Sequence, residues 1–164
     1  QFDTPDDALA WAAGVIERNP SLPTIISTHD YLDTKGRRRA NPSIHNAALD
    51  PDDNNPQMIW DKLISQHDQI FMVLCGHQHA QAYRAEYNRF GHKVHQLLSD
   101  YQSRNQTLKD TGAKPEGLSG VGDGWMRLMT FDMSSAAPPV SAEAHASGRA
   151  RQAHVRTRRT STGR

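Results

Sequence analysis

Residues Ile70–Ala80 read IFMVLCGHQHA, and this stretch decides the fold class of the chain. Its first six residues are apolar, which is typical of a strand buried on both faces of a sheet. Gly76 then permits a sharp exit from the strand, and two histidines, His77 and His79, follow at its C-terminal end. The stretch therefore predicts a core strand that delivers two imidazoles to one edge of a sheet.

A second strand of the same kind lies upstream. Residues 24–28 read TIIST, a largely β-branched run, and His29 follows them directly. Apolar residues at helical spacing precede each strand, over about 5–19 and about 56–67. Strands that alternate with helices predict an α/β sheet, in which ligands bind beyond the C-terminal ends of the strands. We therefore expect the histidines of the two strands to meet at that edge.

The apolar pattern changes after Ala80. Residues 82–87 and 93–98 alternate around a glycine-containing turn, which predicts a β-hairpin, and residues 125–131 predict a further strand. Residues 33–56 are rich in Asp, Asn and Pro, so they predict a long loop.

Charge divides the chain into two segments. Residues 1–133 carry 13 Lys+Arg and 17 Asp+Glu, whereas residues 134–164 carry six Arg and one Glu. The second segment has no Ile, Leu, Met, Phe, Tyr or Trp, so it cannot bury enough apolar surface to offset its ordering entropy. We predict one domain over 1–133 and a disordered, low-complexity basic tail over 134–164. A nucleic-acid-binding arm, which ranks lowest because the tail has no aromatic residue and no lysine, and a segment read out of frame stay open as alternatives.

Several classes of protein are excluded by composition. Cys75 is the only cysteine, so the chain predicts no intrachain disulfide and no cysteine-based zinc site. No run approaches the roughly 20 apolar residues of a membrane span. The first residues, QFDTPDDALAW, lack the basic and apolar regions of a signal peptide, and the compartment stays open.

His29, His77 and His79 are the candidate metal ligands, because neutral imidazole is the commonest side-chain ligand for ions such as Zn, Mn and Fe. For an isolated His-x-His pair, hydrogen bonds to backbone or water are the ordinary explanation. The apolar strand before the pair, the glycine, and a third histidine at the end of another strand favour metal binding.

The motifs also resemble a known family. THDY (Thr28–Tyr31) and, further along, GHQH (Gly76–His79) resemble the last two motifs of the calcineurin-like metallophosphoesterases. HQLLSDYQ (His95–Gln102) and GDGWMRLMTFD (Gly122–Asp132) are similar to the end of the domain in bacterial members. The resemblance covers most of residues 6–133. It implies the C-terminal half of a four-layer α/β/β/α sandwich.

The resemblance implies a phosphoester hydrolase, acting on phosphomonoesters or phosphodiesters with two divalent metal ions of the Mn, Fe or Zn type. His29 and His77 would ligate one ion and His79 the other, and no residue receives a catalytic role. The family's D-x-H, G-D and G-N-H-E/D motifs do not precede these residues in this chain. We therefore expect the chain alone to be inactive.

The alternative is a non-catalytic protein that keeps this half-domain as a packing or interaction module. Half of a sandwich leaves a sheet edge unpaired, through which the chain could associate with another. Among single residues, Asp30 would either orient a histidine or cap the following turn, and residues 37–39 (RRR) would either meet a phosphoryl group or remain solvated. Residues 100–102 end a strand on the side of the site, with no role assigned.

Overall fold

The computed structural model describes residues 4–39, 50–104, 122, 124–131 and 140–145, the last range by its backbone alone. The chain divides into two compact units, Gln1–Asp100 and Tyr101–Arg164. The domain predicted over 1–133 therefore includes residues of both units. Within the described part of the chain, no helix is long and apolar enough to cross a membrane.

The first unit is a mixed α/β structure with two helices and a mostly parallel four-stranded sheet, which confirms the α/β class. The elements are β1 (Thr4–Pro5), α1 (Asp6–Glu17), β2 (Thr24–Ser27), β3 (Asp53–Asn54), α2 (Pro56–Lys62), a 3-10 turn (Ile64–Gln66), β4 (Ile70–Cys75), β5 (Gln81–Tyr87) and β6 (Lys93–Ser99). The sheet order is β2-β4-β6-β5: β4 lies parallel to β2 and to β6, and β5 is antiparallel to β6. The strands β1 and β3 form a separate short antiparallel pair.

Local chemistry fixes where the helices begin. Asp6 and Asp7 place carboxylates in the first turn of α1, near the positive end of the helix dipole. Asn55 caps α2, because its side-chain oxygen accepts hydrogen bonds from the backbone N–H groups of Gln57 and Met58 at 3.0 and 3.1 Å. The second helix is shorter than the predicted span of 56–67, since the 3-10 turn replaces its last part.

Both helices pack on one face of the sheet and form the core. The buried apolar side chains come from the helices, the segment after β2 and the strands: Leu9, Ile16, Tyr31, Leu32, Ile59, Trp60, Leu63, Ile64, Ile70, Val73, Cys75, Val94 and Leu98. Cys75 is a small buried member of this core, and its thiol donates to the Leu97 carbonyl.

The opposite face of the sheet, which we call the far face, is only partly covered. The strand register places Ile25, Met72 and His95 on this face, and Tyr83 and Tyr87 share it through alternation along β5. Met72 and His95 are buried, whereas the other three side chains are between 41% and 65% exposed. The far face therefore presents large apolar side chains to solvent along both edge strands.

The predicted hairpin is confirmed as β5-β6. Its turn is closed by hydrogen bonds from the Asn88 N–H to the His92 carbonyl and from the Gly91 N–H to the Asn88 carbonyl, at 2.8 and 3.0 Å. Gly91 has a φ of 79°, a left-handed conformation that glycine adopts without a steric penalty.

In the second unit, β7 (Met126–Phe131) pairs antiparallel with β8 (Val140–His145). The predicted strand over 125–131 is confirmed. The β8 strand differs from the sequence prediction, which expected no regular structure after residue 133. Its sequence, VSAEAH, alternates apolar and polar residues at strand spacing, and β7 offers an edge to pair with. The other residues of the predicted tail lie outside the described part.

Candidate metal centre

His29 and His77 meet at the C-terminal ends of two parallel strands of the sheet. His29 follows β2, and His77 follows the neighbouring parallel strand β4, so both leave the sheet at the same end. His29 Nε2 lies 3.1 Å from His77 Nδ1, and the ring centroids are 5.0 Å apart with an interplanar angle of 53°. The two residues are 48 positions apart in sequence, and the parallel pairing of their strands brings them together.

Backbone hydrogen bonds bind the two turns that carry these histidines. The Thr28 N–H donates to the Leu74 carbonyl at 3.0 Å, which continues the ladder between β2 and β4. One residue further, the Gly76 N–H donates to the carbonyl of His29 itself at 2.9 Å. A continuous backbone ladder thus holds the two turns side by side as far as the histidines.

The third parallel strand is tied to the same edge. Asp100 follows β6, and its N–H donates to the Ala80 carbonyl at 2.9 Å, at the end of the GHQH turn. Sequence reasoning placed residues 100–102 on the side of the site without a role. The backbone N–H of Asp100 holds the end of the histidine turn against β6.

His77 has a strained backbone. Its φ is 65°, and among the described residues it is the one non-glycine residue with a positive φ. The Gln78 N–H donates to the Gly76 carbonyl at 2.8 Å, so residues 76–78 close a three-residue γ-turn around a left-handed centre. Such a conformation costs about 1–3 kcal/mol and persists only where the surrounding structure enforces it, most often at functional sites.

A side-chain hydrogen bond also joins the two turns. Gln78 Nε2 donates to Asp30 Oδ1 at 3.1 Å, and both side chains are half-buried. Asp30 thus binds the residue between the two histidines of GHQH, a partner that the sequence did not suggest for it. Gln78 received no role from the sequence, because a glutamine in a His-x-His turn carries no recognisable motif.

The spacing of the histidine pair fits a shared metal ion. Two imidazole nitrogens that bind one tetrahedral zinc ion at about 2.0–2.1 Å lie about 3.3 Å from each other. The observed separation of His29 Nε2 and His77 Nδ1 is 3.1 Å, a hydrogen-bonded contact whose length is close to that value.

His79 lies two residues further on and is exposed. Across residues 4–39, 50–104 and the other described positions, no group of three or more His, Cys, Asp or Glu residues is placed to hold a metal ion. The structure therefore brings two of the three predicted ligands together, and the assignment of His79 to a second ion stays a prediction.

Within the arginine run, Arg37 and Arg39 are exposed, as the solvated interpretation predicts, whereas Arg38 fits neither interpretation. The Arg38 side chain is buried, with 3% exposure, and pairs with Glu86 at 2.7 Å. It also donates to Gln96 Oε1 at 2.8 Å and to Gln57 Oε1 at 3.1 Å, and its guanidinium lies 4.3 Å from the centre of the Trp60 ring. Arg38 is therefore neither solvated nor available to a phosphoryl group.

The contact with Arg38 has the largest effect on the pKa of Glu86. Hydrogen bonds from Arg38 and, against the opposing effect of burial, from Arg84 lower the pKa of Glu86 to about 2. Arg37, by contrast, pairs with Asp33 at 2.7 Å on the surface, within a turn that Asp33 also caps.

Two further histidines, His92 and His95, make separate local contacts. His92 Nδ1 pairs with Asp68, next to the hairpin turn. His95 Nδ1 is hydrogen-bonded to the Tyr83 hydroxyl at 2.8 Å on the far face, and burial lowers the pKa of His95. Both histidines thus make local structural contacts.

No protein-family model matches the sequence, and no curated protein matches it. The geometry of the two turns and the motifs they carry are therefore the whole basis for a functional proposal.

Proposed function

We propose that this chain contributes part of the metal centre of a phosphoester hydrolase of the calcineurin-like type. His29 and His77 would bind one divalent ion, of the Zn, Mn or Fe class, and His79 a second. When bound, such a pair of ions supplies charge stabilisation for the transferred phosphoryl group. The remaining ligands would come from D-x-H, G-D and G-N-H-E/D motifs, none of which precedes the two histidine turns in this sequence.

One observation carries the proposal. Two histidines follow adjacent parallel strands, and their ring nitrogens lie 3.1 Å apart. This is the edge of an α/β sheet at which ligands bind. A pair of imidazoles in surface turns with purely structural roles has no need for a strained backbone at one of them, as His77 has.

The architecture supports a second part of the proposal, namely that the first unit is the C-terminal half of a four-layer α/β/β/α sandwich. One face of the sheet is covered by α1 and α2, while the far face leaves Ile25, Tyr83 and Tyr87 exposed. In an α/β/β/α sandwich a second sheet packs against the sheet face opposite the helices. The far face has the position and the apolar character that such packing requires.

Metal titration tests whether His29 and His77 bind an ion. We expect the purified chain to bind Zn²⁺ or Mn²⁺ in isothermal titration calorimetry, and His77→Ala to abolish this binding. His92→Ala is the matched control, because it makes the same substitution at a histidine that pairs with Asp68 instead. Absence of binding, or equal loss in both variants, would contradict the assignment.

A second experiment tests the activity. We expect the chain alone not to hydrolyse a chromogenic phosphoester at any divalent metal concentration. Addition of a polypeptide that carries the three missing motifs should restore metal-dependent turnover, and His77→Ala should remove it. Turnover by the isolated chain that survives His77→Ala would place the activity elsewhere.

The second candidate is a non-catalytic interaction module, and the exposed side chains of the far face favour it. This candidate predicts that the complementing polypeptide binds the chain without metal and without turnover. Tyr87→Ser, at the most exposed of these side chains, should then weaken the association, whereas His77→Ala should leave it unchanged.

A further inference from the structure

We propose that Asp30 and Gln78 are positioning residues that set the spacing of His29 and His77. The expected effect on metal affinity rests on the proposed metal function, whereas the spacing of the two rings is measured in the metal-free chain. Asp30 directly follows His29, and Gln78 directly follows His77, so their hydrogen bond of 3.1 Å joins the two histidine turns one residue beyond the rings.

The need for such a link follows from the backbone of His77. A left-handed residue at the centre of a γ-turn relaxes unless its surroundings hold it. On the side of His29, the backbone hydrogen bond from the Gly76 N–H to the His29 carbonyl holds the start of this turn. The bond between Gln78 and Asp30 holds its end against the same neighbouring turn.

The chemistry of the pair suits this role. A carboxylate that accepts from an amide N–H forms a charge-assisted hydrogen bond, which is stronger than a neutral one. Both side chains are half-buried, so water competes only in part for the bond. Residues that orient metal ligands in this way typically change metal affinity by about 10- to 100-fold when they are removed.

Exchange of the two functional groups gives the sharpest test. Gln78→Leu removes the donor, and Gln78→Glu sets a second carboxylate against Asp30. The double variant Asp30→Asn/Gln78→Glu restores a hydrogen bond of opposite direction, from an amide at position 30 to a carboxylate at position 78. Gln69→Leu is the matched control, because Gln69 donates to the Ile16 and Asn19 carbonyls beside the start of β4, the strand end opposite the histidines.

The first readout is the nuclear Overhauser effect between the two imidazole rings in the metal-free chain. We expect both single Gln78 variants to lose this contact, the double variant to regain it, and Gln69→Leu to retain it. Gln69→Leu also removes side-chain hydrogen bonds, so a general loss of stability would weaken the ring contact in Gln69→Leu as well as in the Gln78 variants. An unchanged ring contact in Gln78→Leu, or no recovery in the double variant, would overturn the proposal.

The second readout is the affinity for Zn²⁺, measured by calorimetry at a fixed pH. We expect Gln78→Leu to weaken it about tenfold or more, and Gln69→Leu to leave it within about twofold. If the native chain binds no Zn²⁺, the proposed metal function fails while the ring contact still decides the positioning role. If the native chain binds Zn²⁺ and Gln78→Leu binds equally well, the positioning role fails alone.

Discussion

Arg38 and Arg37 are neighbours in sequence with opposite surroundings, and the same substitution at each should have very different effects. The Arg38 side chain is 3% exposed, whereas that of Arg37 is 53% exposed. Replacement by Met keeps most of the unbranched hydrocarbon and removes the guanidinium. The comparison therefore isolates the contribution of a buried guanidinium from that of a surface one.

The magnitude follows from the groups that lose their partners. Arg38→Met leaves the oxygen of the fully buried Gln96 without its donor, which costs about 1–3 kcal/mol. Loss of the charge over the Trp60 ring removes about 0.5–2 kcal/mol more. Glu86 also loses its ion pair with Arg38, but it keeps Arg84 at 2.8 Å, and solvent at its one-third exposed side chain limits the cost to less than either of these two losses. We expect about 3 kcal/mol in total.

For Arg37→Met we expect less than about 1 kcal/mol, because a surface ion pair between residues four apart contributes little. Urea denaturation followed by circular dichroism measures both values. Arg38→Lys provides an intermediate, since it keeps the charge and loses the planar fork that reaches three partners at once. If Arg38→Met and Arg37→Met destabilise the chain equally, then the buried contacts of Arg38 stabilise the fold no more than a surface ion pair does.

Three further predictions concern stability. The ordinary pKa of a glutamate is 4.5, and that of Glu86 is lowered to about 2, so its carboxylate stabilises the fold fully at pH values above 4.5 and progressively less as the pH falls toward about 2. In Glu86→Gln, the free energy of unfolding measured by acid denaturation should therefore depend less steeply on pH between these two values. Gly36→Ala should lower the free energy of unfolding by about 1–2 kcal/mol, because Gly36 has a φ of 73° and a Cβ there would lie 3.2 Å from a carbonyl oxygen of β5. Asn55→Ala should cost about 1 kcal/mol through loss of the helix cap, and an unchanged urea midpoint for either variant would refute its assignment.

The sequence predicts most of the first unit because its elements are locally determined. An apolar run ending in Gly76 defines β4 from Ile70 to Cys75, and the alternation around the hairpin turn defines β5 and β6 to within a residue or so. The end of α2 is less predictable: Leu63 and Ile64 continue the helical apolar pattern, but they belong to the cap and a 3-10 turn. Their burial in the core is the same in either geometry, so the pattern cannot distinguish the two.

The sequence predicts which two histidines meet at the candidate site, but it does not predict the side chains that support them. Parallel strands place His29 beside His77 by topology alone, which is why the sequence anticipates the pair. The hydrogen bond between Asp30 and Gln78, and the burial of Arg38 under α2, depend on side-chain directions in irregular turns. No periodicity governs those directions, so these contacts emerge only from the three-dimensional structure.

The strained turn at His77 leads to a final prediction about the balance between stability and function. Glycine occupies a φ of 65° without penalty, so His77→Gly should remove the backbone strain and His77→Ala should retain it. We therefore expect His77→Gly to be more stable than His77→Ala, by about 1 kcal/mol in urea denaturation, while both variants lose the contact with His29 and the affinity for Zn²⁺. Such a result would mean that His77 keeps a backbone conformation that lowers stability, and that this conformation places its imidazole ring beside His29. If His77→Gly is instead no more stable than His77→Ala, the turn is not strained, and the argument from its backbone to a metal centre loses its support.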